Sequence, residues 1–83
     1  MEAEYIATFY THYDAIVFSR QLKAAGVESQ LMPVPRALSS SCGTCARFRC
    51  AKADIARFSL TGTEQLVRVT ADGYEMIRDN RHS

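Results

Sequence analysis

Pro33 and Pro35 stand one residue apart near the middle of an 83-residue chain, and neither has a backbone N–H to offer a neighbouring strand. A strand that reaches them must end there, at the edge of its sheet, and the residue before each proline is pushed toward extended geometry. The next ten residues read as a connection: Arg36, Ala37 and Leu38, then Ser39, Ser40 and Ser41, then Cys42-Gly43-Thr44-Cys45. Serine hydroxyls turn readily onto nearby backbone groups, and Gly43 admits backbone angles that a side chain forbids. The stretch from Pro33 to Phe48 is therefore expected to be a long loop running into a strand, with two of the three cysteines inside it.

The rest of the chain supplies the elements that this loop joins. Tyr5 to Tyr10 is rich in aromatic and β-branched residues and is apolar on both alternating faces, which predicts a strand at the centre of a sheet. Thr11 is followed three places on by Asp14, close to a capping box. Ala15, Phe18, Ser19, Leu22 and Ala25 then recur at helical spacing up to Gly26, predicting a helix from Thr11 to Ala25. Ser29 to Val34 reads as a short strand. Ala46, Phe48 and Cys50 alternate with Arg47 and Arg49 as in a half-buried strand. Lys52 to Leu60 predicts a second helix, with Phe58 off its apolar stripe, and Leu66 to Thr70 a closing strand. Asp72-Gly73 signals a turn. Tyr74 to Ile77 fits a strand extension, a short helix or a docking tail, and Arg78 to Ser83 is expected to fray.

The order strand, helix, strand, strand, helix, strand implies an α/β chain, an α+β two-layer sandwich of the ferredoxin-like βαββαβ kind. Its antiparallel sheet would carry both helices on one face, and right-handed crossovers would put the first and third strands at the centre. In that arrangement Cys42 or Cys45 stands just before a central strand. Residues 1–83 make one domain, since a chain of this length holds a single modest core, and 47% hydrophobic with 23% charged residues is an ordinary globular balance. The chain is expected to stand alone or as a homodimer. A net charge of +1 gives no overall pull toward nucleic acid, and the phenylalanines fall in core patterns rather than on a stacking platform. The acidic start Met-Glu-Ala-Glu does not read as a secretory signal, and no apolar run nears the ~20 residues of a membrane span. A cytoplasmic location with reduced thiols is the expectation.

A thiolate, not a thiol, is the nucleophile, and cationic side chains or backbone N–H groups favour it. Arg36, Arg47 and Arg49 bracket Cys42 in sequence. Cys42 and Cys45 also have dithiol spacing, so Cys45 is a candidate resolving thiol. The thioredoxin pattern differs, because there the motif opens a helix and here a strand is predicted to come after it. Zinc held by Cys42, Cys45, Cys50 and His12 would need a second ligand pair that the chain lacks, so no metal or other cofactor is expected. Cys50 is expected in the core and His12 at an exposed first turn. The chain shows no Gly-rich phosphate loop, Ser-His-Asp order or close carboxylate pair.

Pro-x-Pro-Arg, then serine, then Cys-Gly, then Arg-Phe, as Pro33, Pro35, Arg36, Ser39 or Ser40, Cys42, Gly43, Arg47 and Phe48, resembles a family of small bacterial and archaeal domains described as selenium/sulfur carrier protein-like. Ala7 to Tyr10, Asp14-Ala15 and Gly26-Val27 extend the likeness upstream, and after about Cys50 only the strand and helix pattern continues. Cys45 is outside the family motif. The resemblance implies a carrier rather than a turnover enzyme, with Cys42 taking sulfur or selenium as a persulfide or selenosulfide from a donor protein and passing it to an acceptor protein. Pro33, Pro35, Arg36, Ser39, Ser40, Gly43 and Arg47 would shape its loop. The alternative is an interaction module whose Pro-Arg-Ser-Cys-Gly loop binds a partner or a small anion.

Overall fold

The computed structural model describes residues 2–81. Strand β1 (Glu2–Phe9) buries both its faces: Tyr5, Ala7 and Phe9 turn to one side, Ile6 and Thr8 to the other. Such a strand needs partners along both edges and cover on both faces, and it has them. β1 pairs antiparallel with β3 (Thr44–Ala51), where Tyr5 stands opposite Phe48, and with β4 (Thr63–Thr70). β2 (Ser29–Pro33) borders β3 and β5 (Gly73–Asp79) borders β4, giving a five-stranded antiparallel sheet in the order β2-β3-β1-β4-β5.

Helix α1 (His12–Ala24) begins and ends as its residues dictate. The Thr11 hydroxyl accepts the Asp14 N–H at 3.1 Å and donates to the Asp14 carboxylate at 2.7 Å, so one residue satisfies an orphan amide and places a negative charge at the positive helix end. At the far end Gly26, with φ 78°, donates to Lys23 O, and Val27 donates to Leu22 O at 2.8 Å, the paired bonds of a Schellman stop. Ala15, Phe18 and Leu22 are buried against Tyr5, Ala7, Phe9, Ala46, Phe48, Cys50 and Leu66 of the sheet, while Arg20 and Lys23 are exposed. The opposite face gathers Ile6, Cys45 and Val67. It is covered by Met32, Val34, Leu38 and Val69 rather than by a helix, so the long loop folds back under the sheet.

The second helix is shorter than its periodicity predicts. α2 covers Lys52–Ile55 only, and Arg57 and Phe58 then donate to the carbonyls three residues back in a tight turn. Two anchors stop it: the Phe58 ring enters the core against Phe18 and Phe48, and the Gln21 side-chain amide of α1 takes both the N–H and the C=O of Ser59. Ile55 and Phe58 pack on the same cluster as α1. The tail takes the strand form, one of the three alternatives for Tyr74 to Ile77. Residues 73–79 form β5, Arg78 stands opposite Leu66, and the Asn80 N–H continues to Glu64 O at 2.8 Å. His82 and Ser83 lie outside the described residues. Among the described residues no helix is long and apolar enough to cross a membrane.

Candidate functional site

The connection between β2 and β3 is built from the prolines outward. Pro33 pairs with Thr44 at the strand ends, and Val34 N–H closes the base on Gly43 O at 3.2 Å. Pro35 C=O accepts the Leu38 N–H at 3.0 Å, a turn that leaves Arg36 and Ala37 exposed at its tip. Leu38 then tucks against the helix-free face and carries the three serines across the ends of β1 and β4. Each is held there. Ser39 C=O accepts Gln65 Nε2–H at 2.8 Å, and Ser40 Oγ donates to Phe9 C=O at 3.0 Å. Ser41 donates its N–H and its hydroxyl to the two carboxylate oxygens of Glu64 at 2.8 and 2.7 Å.

Cys42 comes next, half-buried, with its sulfur beside the chain that it precedes. The thiol donates to Thr44 C=O at 3.3 Å and accepts the Thr44 N–H at 3.4 Å, while Ser40 Oγ lies 3.9 Å away. With the single Ser40 hydroxyl proton on Phe9 C=O and the single thiol proton on Thr44 C=O, the contact between Ser40 and Cys42 carries no hydrogen bond in this arrangement. When the thiol ionises, the Thr44 N–H is the donor that stays on the sulfur. Gly43 makes that return possible: its φ of 74° belongs to the left-handed region, and no atom lies within 4 Å of where a Cβ would stand, so backbone conformation and not space selects glycine.

The other two cysteines are elsewhere. Cys45 is the second residue of β3, not a loop residue as its spacing suggested. It is fully buried on the helix-free face, whereas Cys42 packs toward the helix-side cluster. The Cys-x-x-Cys spacing therefore straddles the sheet, because β3 starts two residues earlier than its alternation alone predicts. The Cys45 thiol points to Pro33 C=O at 3.7 Å, and burial pushes its pKa up, with Cys42 adding to the shift and Arg47 opposing it. Cys50 is 1% exposed, and burial, followed by Asp54 and Glu2, raises it too. Among the described residues no group of three or more His, Cys, Asp or Glu side chains gathers as a metal site, and the four zinc ligands considered from sequence do not meet.

The arginines also separate. Arg47 points away from Cys42, on the Cys45 side of β3, and is engaged by Glu4, whose carboxyl that hydrogen bond holds below the usual range. Arg36, at the exposed turn, has no ion pair or hydrogen bond among the described residues. Of the residues named from sequence, Pro33, Pro35, Ser39, Ser40, Cys42 and Gly43 come together in one loop; Arg47 and Cys45 do not join them.

A family model described as "Putative Se/S carrier protein-like" matches residues 4–67, which span β1 through most of β4 and the whole cysteine loop. The chain belongs to that family. No curated protein and no solved structure matches it at a significant level. The family expected from the sequence is thus the family that matches, and β5 is an element of this Se/S carrier-like chain beyond the matched span.

Sequence reasoning missed Glu64 and Gln65. The sequence predicts a closing strand that starts at Leu66, yet Thr63, Glu64 and Gln65 are all buried at the start of β4 and two of them hold the loop. The only local hint is that a polar triplet runs without a break into Leu66 and Val67, the apolar start of the expected strand.

Proposed function

We propose that this protein carries sulfur or selenium on Cys42. The carrying observation is that, of three thiols in a Se/S carrier-like chain, Cys42 alone is partly open to solvent, and it stands in a glycine-flanked loop within the matched span. Loading is a transfer between thiols. The Cys42 thiolate attacks the outer sulfur of a donor persulfide, a new S–S bond forms, the donor's S–S bond breaks, and its electron pair leaves as the donor thiolate. The thiol proton goes to solvent. An acceptor thiolate then attacks the outer atom on Cys42, which departs as thiolate beneath the Thr44 N–H. A donor selenopersulfide loads a selenosulfide in the same way: the Cys42 thiolate attacks the terminal selenium, a new S–Se bond forms, the donor's S–Se bond breaks, and its electron pair leaves as the donor thiolate. Donor and acceptor proteins in a reducing cytoplasm are the partners this chemistry needs. The reading takes the β2-β3-β1-β4 portion of the sheet as a ferredoxin-like unit with β5 appended.

Intact mass after incubation with a cysteine desulfurase and cysteine tests the reading. An added sulfur atom is expected in the wild type and in Cys50→Ser, and none in Cys42→Ser. An adduct surviving in Cys42→Ser, or none in the wild type with sulfur or selenium donors, would overturn it.

A further inference from the structure

We infer that Glu64 is the positioning residue of the cysteine loop, fixing Cys42 through Ser41; as a statement about carrier function this rests on Cys42 being the loaded thiol. Three observations converge. First, Glu64 is 5% exposed and makes no ion pair among the described residues, with Arg81 acting on it only through space, and its two carboxylate oxygens accept from Ser41, from N–H and Oγ, at 2.8 and 2.7 Å. A carboxylate taken out of water demands such partners, and hydrogen bonds to an ionised acceptor are stronger than neutral ones.

Second, the strand pairing aims it. Thr8 stands opposite Gln65 and Phe9 opposite Thr63, so Glu64 is the extra residue of a β-bulge in β4. Bulges re-aim a side chain that a regular strand would place differently, and they recur beside functional sites. The bulge is itself fixed, because Asn80 donates its N–H to Glu64 O at 2.8 Å and its Nδ2–H to Thr63 O at 3.0 Å.

Third, the bonds to either side restrain Ser39 and Ser40 but leave Ser41, the residue joined to Cys42, to Glu64 alone. Gln65 holds Ser39 C=O, and Phe9 C=O holds the Ser40 hydroxyl. Without the carboxylate, nothing described would keep the Ser41 amide in place, and the Cys42 sulfur would swing off the Thr44 N–H. Positioned, the sulfur faces a docked protein thiol in one geometry; released, it meets small reagents more freely and protein partners less productively.

The test separates those two effects. Ser41→Ala, Glu64→Ala and Glu64→Gln are compared with wild type for Cys42 alkylation by iodoacetamide, for maximal sulfur loading from a desulfurase, and for folding by circular dichroism. Alkylation is expected to rise about fivefold in Ser41→Ala, the factor equivalent to one hydrogen bond of about 1 kcal/mol, and further in Glu64→Ala. Maximal loading should fall in the same order. Glu64→Gln can accept the Ser41 N–H and donate to Ser41 Oγ, and should restore most of both. Equal alkylation in all four proteins would overturn the inference, as would a defect in Glu64→Ala that Glu64→Gln does not relieve. If Glu64→Ala fails to fold, Ser41→Ala and Glu64→Gln decide. If the wild type takes no chalcogen, the carrier reading falls, and alkylation still judges whether Glu64 positions the thiol.

Discussion

Replacing Phe18 by alanine should remove a large part of this domain's stability. The ring is 3% exposed at the middle of α1, with Phe9 at 5.5 Å, Phe48 at 5.6 Å and Phe58 at 6.1 Å between centroids, the last two edge-on. Truncating a buried phenylalanine costs about 3–5 kcal/mol through lost transfer energy and the cavity left behind. Three rings that cannot all close on the gap place Phe18 toward the upper end. A domain of this length is stable by about 4–12 kcal/mol, so the change consumes a third or more of the total. The other side chains that α1 buries, Ala15 and Leu22, cannot hold the helix as firmly. Phe18→Leu keeps most of the apolar volume and loses chiefly the ring contacts, at about 1–1.5 kcal/mol. Urea denaturation followed by far-ultraviolet circular dichroism measures both. A loss below about 1 kcal/mol in Phe18→Ala would refute the aromatic cluster as the centre of the core, since surface changes typically stay within about 0.5 kcal/mol.

The same geometry yields two further expected outcomes. Burial raises the folded pKa of Cys45 and of Cys50, so their contribution to stability is complete below the ordinary thiol range and is lost as pH rises through the folded values; Cys45→Ala should flatten the alkaline limb of a pH–stability curve, and an unchanged limb would refute the burial argument. Gly43→Ala should cost about 1–2 kcal/mol from its backbone angle with no added clash, measured by urea denaturation, and no measurable loss would show that the left-handed turn is not needed.

The parts of the fold written in periodicity were legible in the sequence. Alternation marked β1 and the centre of β3, and threefold and fourfold spacing marked the buried side of α1, because single-strand and single-helix patterns record which face meets a core. The shortened α2 was not legible. Its sequence continues a helical pattern, but the Phe58 ring packs on Phe18 of α1 and Phe48 of β3, and Gln21 captures Ser59 from 38 residues away. Nor was β5, whose exposed Tyr74, Met76 and Ile77 belong to an edge strand lacking a buried face to imprint a pattern. Within the site, the loop was readable from its prolines, serines and glycine, and the clamp was not. Glu64 acts from a bulge, and a bulge is a property of two strands paired in space.

That same strand arithmetic decides how cargo can leave the proposed carrier. Cys45 is tied into β3 opposite Met32 of β2 and Thr8 of β1, facing the other side of the sheet from the Cys42 sulfur. To form a disulfide with Cys42 it would have to withdraw from both ladders and bring a buried thiol, held protonated by its surroundings, through the plane of the sheet. The hydrogen bonds broken on the way belong to two strands at once, whereas an external thiolate needs only to approach a half-exposed sulfur on a loop. For the carrier as proposed, release to an external thiolate is therefore the lower path, and Cys45 belongs to the buried core while Cys42 stays half-exposed on its loop.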